Sequence, residues 1–372
     1  YGAYERGLFE YGIVRGELSE SRESYGGSKA HGSRETCQIA MAGRTQIDLF
    51  KWAAEEWKMP RTLNWVGEDT FANASLGDSS LCKDDFCKLE LPFYVLHDKY
   101  VGTARDRAEI AQYCAVDTHV PLRIVHVKKV LLGIIEIARL TGLTMHDVIN
   151  KKQMARTFAM ISKYAHDRKY VIPECPQRFV RDAHLRNMMF GDGSYQGATV
   201  INPQRGYYDA CVGTLDYAGL YPSIIRGFHL CYTTLVLDPK WLDDPDVEVR
   251  SIEIQSDQPG VAPYKLHWVT NTEPLLYGML TEILNARANA KRLKKQHAGN
   301  PFLHALYDAR QSALKLEANS TYGFLGAGKV GKLPMVALAA SVTYHGRELI
   351  ELTRDIVHRE QPECRVMYGD SV

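Results

Sequence analysis

The second half of the chain has apolar residues at helical spacing. They recur over residues 275–296 and 301–322, with Gly299 and Pro301 between the two stretches. A glycine followed closely by a proline is typical of the end of one helix and the start of the next. The pattern therefore predicts two long antiparallel helices joined as a hairpin, and the same spacing predicts a further helix over residues 336–356.

Shorter patterns on either side of this hairpin predict strands and another helix. Residues 211–215 suit a buried strand, and residues 222–228, which open with a proline, suit the helix after it. Residues 365–368 are also strand-like. Over residues 105–140 the spacing is helical, and we expect Pro121 to divide that stretch into two helices.

The first part of the chain is less regular. Residues 1–35 are rich in Gly, Ser, Glu and Arg, which is typical of exposed loop. Residues 37–42 predict a strand, and residues 45–57 predict a strand end followed by a helix. Pro173 and Pro176 interrupt the chain and predict a boundary between domains.

Composition predicts packed domains. The chain has 372 residues, 45% of them hydrophobic, which is enough for two or three cores. It has 45 Lys and Arg against 44 Asp and Glu, so a nucleic-acid surface would have to come from local clustering. No apolar run is long enough to span a bilayer and the start does not resemble a signal peptide, so we expect no membrane part.

The eight cysteines are scattered and form no Cys-x2-Cys pair. They predict reduced, mostly buried thiols and an intracellular protein. Cys82 and Cys87 are close enough in sequence to leave a loop disulfide or a metal pair open. Because the first residue is Tyr1, we expect a piece of a longer protein.

Asp216 is the first candidate for chemistry. It follows the predicted strand and precedes a turn and a helix start, where a carboxylate can hold Mg²⁺ beside phosphates. The backbone N–H groups of Gly219, Leu220 and Tyr221 could receive a triphosphate, since helix starts present unpaired donors. The alternative is that Asp216 is an ordinary turn or cap residue.

Both helices of the predicted hairpin carry a polar stripe. On the first helix, basic side chains recur at four-residue steps: Arg287, Lys291 and Lys295. On the second helix, three side chains share a face: Lys315, Asn319 and Tyr322. Two such helices could clamp a triphosphate, because cations and N–H donors offset its charge. For the basic stripe of the first helix alone, a solvated face is the default interpretation.

These residues lie in strings that resemble the polymerase motifs of family B DNA polymerases. The first string is Asp216-Tyr217-Ala218-Gly219-Leu220-Tyr221-Pro222-Ser223-Ile224-Ile225, and the second is Lys315-Leu316-Glu317-Ala318-Asn319-Ser320-Thr321-Tyr322-Gly323. A third, Tyr368-Gly369-Asp370, resembles the start of a motif in which the family continues with Thr-Asp-Ser. Here Ser371 follows Asp370 directly.

The resemblance implies a two-metal site for nucleotide addition. Asp216 and Asp370 would be its catalytic Mg²⁺ ligands, and the second carboxylate of the third motif is missing. Tyr221 would pack under the incoming sugar and exclude a ribose 2′-hydroxyl. Gly219 replaces the usual serine, which we expect to matter little because the family uses mainly the backbone there.

The resemblance also implies that the hairpin is the fingers domain. The residues implied in dNTP binding are Gly219, Leu220, Tyr221, Arg287, Lys291, Lys315 and Asn319. Lys315 would contact the α- and γ-phosphate region and act in catalysis. Tyr322 and Gly323 would lie under the nascent base pair.

Two further segments resemble other parts of the family. Tyr113 and Asp117 resemble the third motif of its 3′-5′ proofreading exonuclease, in which the tyrosine orients a water and the aspartate holds a metal. The other exonuclease metal ligands are not found upstream, so we expect no DNA hydrolysis by this chain. Tyr195 and Gly197 lie in a string similar to the family linker that touches template, although a plain glycine turn is the alternative.

The implied fold class is α+β: a ribonuclease-H-like exonuclease remnant, an antiparallel-sheet palm and helical-hairpin fingers. The expected domains are a partial exonuclease domain (1–140), a connector (141–187), the first part of the palm (188–273), the fingers (274–328) and the second, truncated part of the palm (329–372). We expect the thumb to be absent.

The implied activity is DNA-directed DNA polymerisation in replication, with primer-template DNA, dNTPs and a processivity factor as partners. The expected location is the nucleus or a viral replication site. Because the third motif lacks its second aspartate, we expect the chain as written to be inactive. A non-catalytic polymerase-like scaffold that binds DNA or partners is the alternative, and a nuclease without polymerase function is the least favoured.

Overall fold

A computed structural model describes eleven parts of the chain: residues 18–25, 34–41, 45–49, 52, 63–74, 91–151, 153–172, 183–191, 195–255, 263–328 and 331–370. The chain divides into two compact units, residues 1–128 and 129–372. Both helices and small antiparallel sheets are present, so the predicted mixed α and β class is confirmed.

The first unit contains a β-hairpin that composition had predicted to be loop. Strand β1 (Leu18–Tyr25) pairs antiparallel with β2 (Arg34–Met41), and Tyr25 lies opposite Arg34. The loop prediction for residues 18–25 is therefore wrong, because ladder hydrogen bonds to a second strand can hold even a polar segment extended. The strand predicted over residues 37–42 is confirmed to Met41. Most of the helix predicted before residue 57 lies outside the described residues.

Three helices follow among the described residues of this unit: α1 (Leu63–Ala74), α2 (Phe93–Val101) and α3 (Ala104–Val127). Thr103 begins α3 with a reciprocal cap, in which its hydroxyl accepts from the Asp106 N–H at 3.3 Å and the Asp106 carboxylate accepts from the Thr103 N–H at 2.8 Å.

Pro121 lies inside α3 and does not divide it, so that prediction is wrong. The helix ends instead before Lys129, whose φ of 53° is left-handed. Proline costs one backbone hydrogen bond in a helix. Here the helix on both sides is held by the burial of Val120 and Ile124 in a small core with Val66.

The second unit is mostly helical. Its helices are α4 (Val130–Thr141), α5 (Met145–Asn150), α6 (Gln153–Asp167), α7 (Ala183–Phe190), α8 (Leu220–Gly227), α9 (Leu275–Gln296), α10 (Pro301–Leu325) and α11 (Val336–Glu360). The predicted hairpin is confirmed as α9 and α10, with α10 ending three residues later than expected. The helices predicted over residues 222–228 and 336–356 are confirmed as α8 and α11, each somewhat longer.

The described residues of this unit also form two small antiparallel sheets. Strand β3 (Val200–Ile201) pairs with β6 (Gly369–Asp370), and β4 (Val249–Ile254) pairs with β5 (Tyr264–Val269). The strand predicted over residues 211–215 is wrong, since that segment is irregular and exposed. Residues 365–368 are irregular too, and only the next two residues pair. In the described part of the chain no strand lies beside residues 211–215 to satisfy their backbone hydrogen bonds.

One large core holds the second unit together. Alternate residues of β4 and β5 point into it, and Trp268 is fully buried. Leu276 and Leu280 of α9 and Phe324 of α10 pack in the same cluster, together with Leu338 of α11. Burying each such side chain contributes about 1.5–3 kcal/mol. The hairpin, α8 and α11 are therefore attached to a common core.

The cysteine prediction is only partly right. Among the cysteines whose surroundings are described, Cys231 is buried, whereas Cys114, Cys211 and Cys364 are exposed free thiols. The expectation of mostly buried thiols is wrong for these three, because the segments that carry them are not covered by other elements. None of the described helices is long and apolar enough to cross a membrane.

Candidate functional site

Three tyrosines from separate parts of the sequence meet near the end of α10. The ring centroids of Tyr221 and Tyr322 are 4.4 Å apart, and the hydroxyls of Tyr195 and Tyr322 are 3.4 Å apart. Tyr221 begins α8, Tyr322 lies in the last turns of α10, and Tyr195 lies in the loop after α7. The structure thus brings together residues of the first motif, the second motif and the linker. We call them the tyrosine cluster.

Two members of the tyrosine cluster, Tyr221 and Tyr322, stay uncharged at ordinary pH. Burial raises the pKa of Tyr322, and its hydrogen bond with Tyr195 raises it further. Burial also raises the pKa of Tyr221, with smaller contributions from Tyr195 and from the charge of Asp370. The hydroxyls therefore act as hydrogen-bonding groups and not as bases.

The two motif aspartates lie on different elements, one on a strand and one on an irregular segment. Asp370 ends β6, is exposed, and accepts a hydrogen bond from the Tyr368 hydroxyl. Asp216 lies in the irregular segment before α8 and is also exposed. The adjacent Tyr217 ties that segment to α11, because its hydroxyl lies 2.6 Å from Oγ1 of Thr353. Within the described residues, the Asp216 carboxylate makes no hydrogen bond or ion pair.

Gly219 forms the turn between Asp216 and α8. Its φ of 69° is left-handed, a conformation that a side chain would strain. The turn therefore gives a physical reason for glycine at this position. The helix starts directly after it, with the Ser223 N–H bonded to the Gly219 carbonyl at 3.0 Å. The N–H groups of Leu220 and Tyr221 are thus at the helix start, where donors lack partners within the helix.

The basic side chains predicted on the hairpin have no acidic partner among the described residues, so they can bind an anion. Lys291 on α9 is exposed, as are Lys315 and Asn319 on α10. Arg287 is half-buried, and its Nε makes no hydrogen bond in the described part of the chain. Neither these three cations nor Asn319 have an ion pair or hydrogen bond within that part. Gly323, next to the tyrosine cluster, is exposed.

Sequence reasoning missed the residues that support α10. The Ser320 hydroxyl lies 2.8 Å from Nε2 of Gln153 and 3.2 Å from Oγ1 of Thr157, both on α6. Arg310 lies 3.7 Å from the buried carboxylate of Glu136 on α4. Helices α4 and α6 thus support the hairpin helix that carries Lys315.

Arg347 was also missed. Its Nη1 donates to the carbonyls of Gln196 at 2.6 Å and Gly197 at 2.8 Å, and the Thr343 hydroxyl donates to the Gln196 carbonyl at 3.0 Å. These bonds tie the linker with Tyr195 to α11. The sequence carries no signal for this, because an arginine in a predicted helix resembles any surface arginine.

In the first unit, Tyr113 and Asp117 lie one turn apart on α3, as their spacing predicts. A hydrogen bond from the Tyr113 hydroxyl to the Asp117 carboxylate is the main reason why the pKa of Tyr113 is raised. Both residues are half-buried. The described residues of the whole chain contain no cluster of three or more His, Cys, Asp or Glu side chains that could hold a metal.

Comparison with known proteins decides the family. A family model described as DNA polymerase family B matches residues 143–371, which include the tyrosine cluster, both motif aspartates and the hairpin. The chain belongs to DNA polymerase family B. The resemblance of its motifs to this family is therefore confirmed.

The relatives of this family B chain include cellular and viral DNA polymerases. It is 32% identical over 371 residues to the DNA polymerase delta catalytic subunit of Schizosaccharomyces pombe, covering 97% of this chain and 31% of that protein. It is 32% identical over 350 residues to a DNA polymerase of Paramecium bursaria Chlorella virus NY2A, and that match covers 92% of this chain and 35% of the viral protein. The chain thus spans about a third of the length of these relatives.

A solved structure shows the same fold. The family B DNA polymerase from the hyperthermophilic archaeon Pyrobaculum calidifontis matches with a TM-score of 0.63 and 22% identity, covering 90% of this chain and 39% of that one.

Proposed function

We propose that the chain carries the nucleotide-binding centre of a DNA-directed DNA polymerase, which adds dNTPs to a primer 3′ end. The observation that carries this proposal is the 4.4 Å contact between Tyr221 and Tyr322, because it joins the first and second polymerase motifs. Family membership and the delta-type and viral relatives support it.

Each part of the centre suits one part of the nucleotide. Arg287, Lys291 and Lys315 are cations without protein partners in the described residues, so they can take the triphosphate. The start of α8 offers further N–H donors to phosphate. Tyr221 would limit the space at the sugar, while Tyr322 would lie under the base pair.

The aspartates suit magnesium. Mg²⁺ takes one or two protein carboxylates and completes its shell with water and phosphate oxygens, so a cluster of three protein ligands is not required. The exposed carboxylates of Asp216 and Asp370 fit that need. Bound there, Mg²⁺ would supply activation of the primer hydroxyl and neutralisation of phosphate charge.

Nucleotide binding by the 372-residue chain tests this proposal. We expect Mg²⁺·dNTP to bind the chain with primer-template DNA, and Lys315→Ala to weaken that binding by roughly 10- to 100-fold, since it removes a charged hydrogen bond. Lys240→Ala is the matched control, because Lys240 is exposed, pairs with Asp238 and belongs to none of the motif strings. Equal affinities in the two variants, or no DNA-dependent binding in the parent, would reject the proposal.

The third motif favours a second candidate, a non-catalytic scaffold that binds DNA or partners. Ser371 directly follows Asp370, where the family has Thr-Asp. Inserting Thr-Asp between these residues would restore the second carboxylate of the motif. If the centre is that of a catalytic polymerase, the insertion should strengthen Mg²⁺-dependent dNTP binding. Primer extension by the chain without the insertion would contradict our expectation that it is inactive as written.

The remaining expectations follow from the relatives. Primer-template DNA, and a processivity factor in the complete protein, are the proposed partners. The delta-type and viral relatives support a role in the nucleus or at a viral replication site. We also propose that the bonded pair of Tyr113 and Asp117 belongs to a proofreading exonuclease of the complete protein, together with ligands from other segments.

A further inference from the structure

The linker with Tyr195 is held by a buried arginine of α11 that belongs to none of the recognised motifs. We infer that Arg347 is a positioning residue for base-pair selection: it fixes the linker so that Tyr195 holds the ring of Tyr322 in place. This inference rests on the proposed function, because it assigns a role within the same centre.

The contact of Arg347 with the linker is strong and leaves it little freedom. Arg347 is only 9% exposed, and one of its nitrogens donates to two successive carbonyls, those of Gln196 and Gly197. A buried guanidinium requires such acceptors, since leaving it unpaired is costly. The Thr343 hydroxyl, one helical turn earlier, donates to the first of these carbonyls as well. Thr343 and Arg347 of α11 therefore both donate hydrogen bonds to the same short segment of the linker.

The linker in turn confines Tyr195. Its hydroxyl lies 3.4 Å from that of Tyr322, and a Cβ placed on Gly326 would lie only 3.2 Å from the same oxygen. Tyr195 is thus held closely against the end of α10, where a side chain at position 326 would crowd its hydroxyl. A shift of the linker would move this hydroxyl away from Tyr322 or into the helix backbone.

The contacts form one continuous path from α11 to the candidate base-pair site. Arg347 holds Gln196 and Gly197, Tyr195 contacts Tyr322, and Tyr322 contacts Tyr221. Without Arg347, Tyr322 would sample more orientations and exclude mismatched base pairs less well. The expected consequence is a loss of selectivity, with a smaller loss of affinity for the correct nucleotide.

A spectroscopic experiment tests the positioning step without any need for activity. Tyr322 is replaced by 3-fluorotyrosine in the full 372-residue chain and its ¹⁹F signal is recorded. Arg347→Ala and Tyr195→Phe should each shift or broaden that signal. Arg359→Ala, which removes an exposed arginine from the last turn of the same helix, should leave it unchanged.

The double variant distinguishes an effect of Arg347 exerted through Tyr195 from a non-specific destabilisation of the fold. If Arg347 acts through Tyr195, then Arg347→Ala combined with Tyr195→Phe should give the signal of Tyr195→Phe alone. An unchanged signal in Arg347→Ala, or additive changes in the double variant, would overturn the inference. If circular dichroism shows that Arg347→Ala does not fold, Thr343→Val takes its place. It should give a smaller change of the same kind, and no change would overturn the inference.

Nucleotide selectivity gives the second readout. The ratio of affinities for complementary and mismatched dNTPs should fall about five- to tenfold in Arg347→Ala, while affinity for the complementary dNTP changes less than about twofold. An unchanged ratio in a chain whose parent discriminates would overturn the selectivity role. If the parent shows no DNA-dependent preference, the proposed function fails, and the ¹⁹F signals still decide the positioning step.

Discussion

Tyr221 illustrates how much depends on a single side chain at this site. Its ring packs on Tyr322 and borders the helix start proposed for the triphosphate. Removing the ring in Tyr221→Ala should open space at the sugar, so the preference for dNTP over rNTP should fall on the order of 10- to 100-fold. Competition binding with primer-template DNA measures this preference.

A matched control for this prediction is Tyr207→Ala, since Tyr207 is 93% exposed. It should leave the sugar preference as it is. An unaltered preference in Tyr221→Ala would show that another group limits the space at the sugar.

His345 should make the stability of the second unit depend on pH. It is buried, stacks on Phe228 at 3.6 Å, and burial lowers its pKa below the usual 6.5 although Glu348 acts in the opposite direction. The unfolded chain therefore takes up a proton near pH 6.5 while the folded chain stays neutral, so the free energy of unfolding should decrease as pH falls through that range. Denaturant melts between pH 8 and 5 measure this slope.

His345→Gln should reduce that slope, because it removes one group that titrates differently in the two states. Part of the slope should remain, since burial also lowers the pKa of His267 on β5. His358→Gln on the exposed end of the same helix should leave the slope unchanged. An undiminished slope in His345→Gln would assign the pH dependence to other groups.

At the scale of the element, the start of α10 depends on its cap. The Asn300 side chain accepts from the N–H groups of Phe302 and Leu303, both at 3.1 Å, and Pro301 occupies the first helical position. Asn300→Ala should therefore lower the free energy of unfolding by about 1 kcal/mol, whereas Asn300→Asp should be nearly neutral. Thermal melts of the two variants distinguish cap loss from surface change, and equal melting temperatures would contradict the cap.

Element boundaries were predictable where the signal was local. The turn of the hairpin is encoded by Gly299 to Pro301, and α9 begins and ends where the apolar spacing predicts. The break predicted at Pro121 was wrong, because the burial of Val120 and Ile124 outweighs the backbone hydrogen bond that proline removes from α3. The strand predicted over residues 211–215 failed because a strand requires a partner, and a partner is not a local property.

At the scale of the whole molecule, the two units have separate cores. Leu276 is fully buried in the large core of the second unit, whereas Ile124 belongs to the small core of the first. Leu276→Ala should cost about 2–5 kcal/mol in the second unit, and Ile124→Ala should act on the first unit alone. Hydrogen exchange measured by mass spectrometry assigns each loss, and protection lost in both units by either variant would contradict separate cores.

The site is also a property of the whole second unit. Tyr195, Tyr221 and Tyr322 come from different segments and meet because α8, α10 and α11 pack on one core. Ser320 and Arg310 then hold α10 on α6 and α4. A binding centre assembled from distant segments is therefore as stable as the core beneath it.

The sequence by itself determined the family and the hairpin, because motif strings and apolar periodicity are local properties of the chain. It also named the candidate residues for chemistry, which stay predictions. Only the tertiary structure decided that Tyr195, Tyr221 and Tyr322 touch, that Arg347 grips the linker, and that residues 211–215 lie exposed. Such contacts depend on how elements pack across long separations. Neither the spacing nor the chemical type of a residue records which distant carbonyl its side chain will reach.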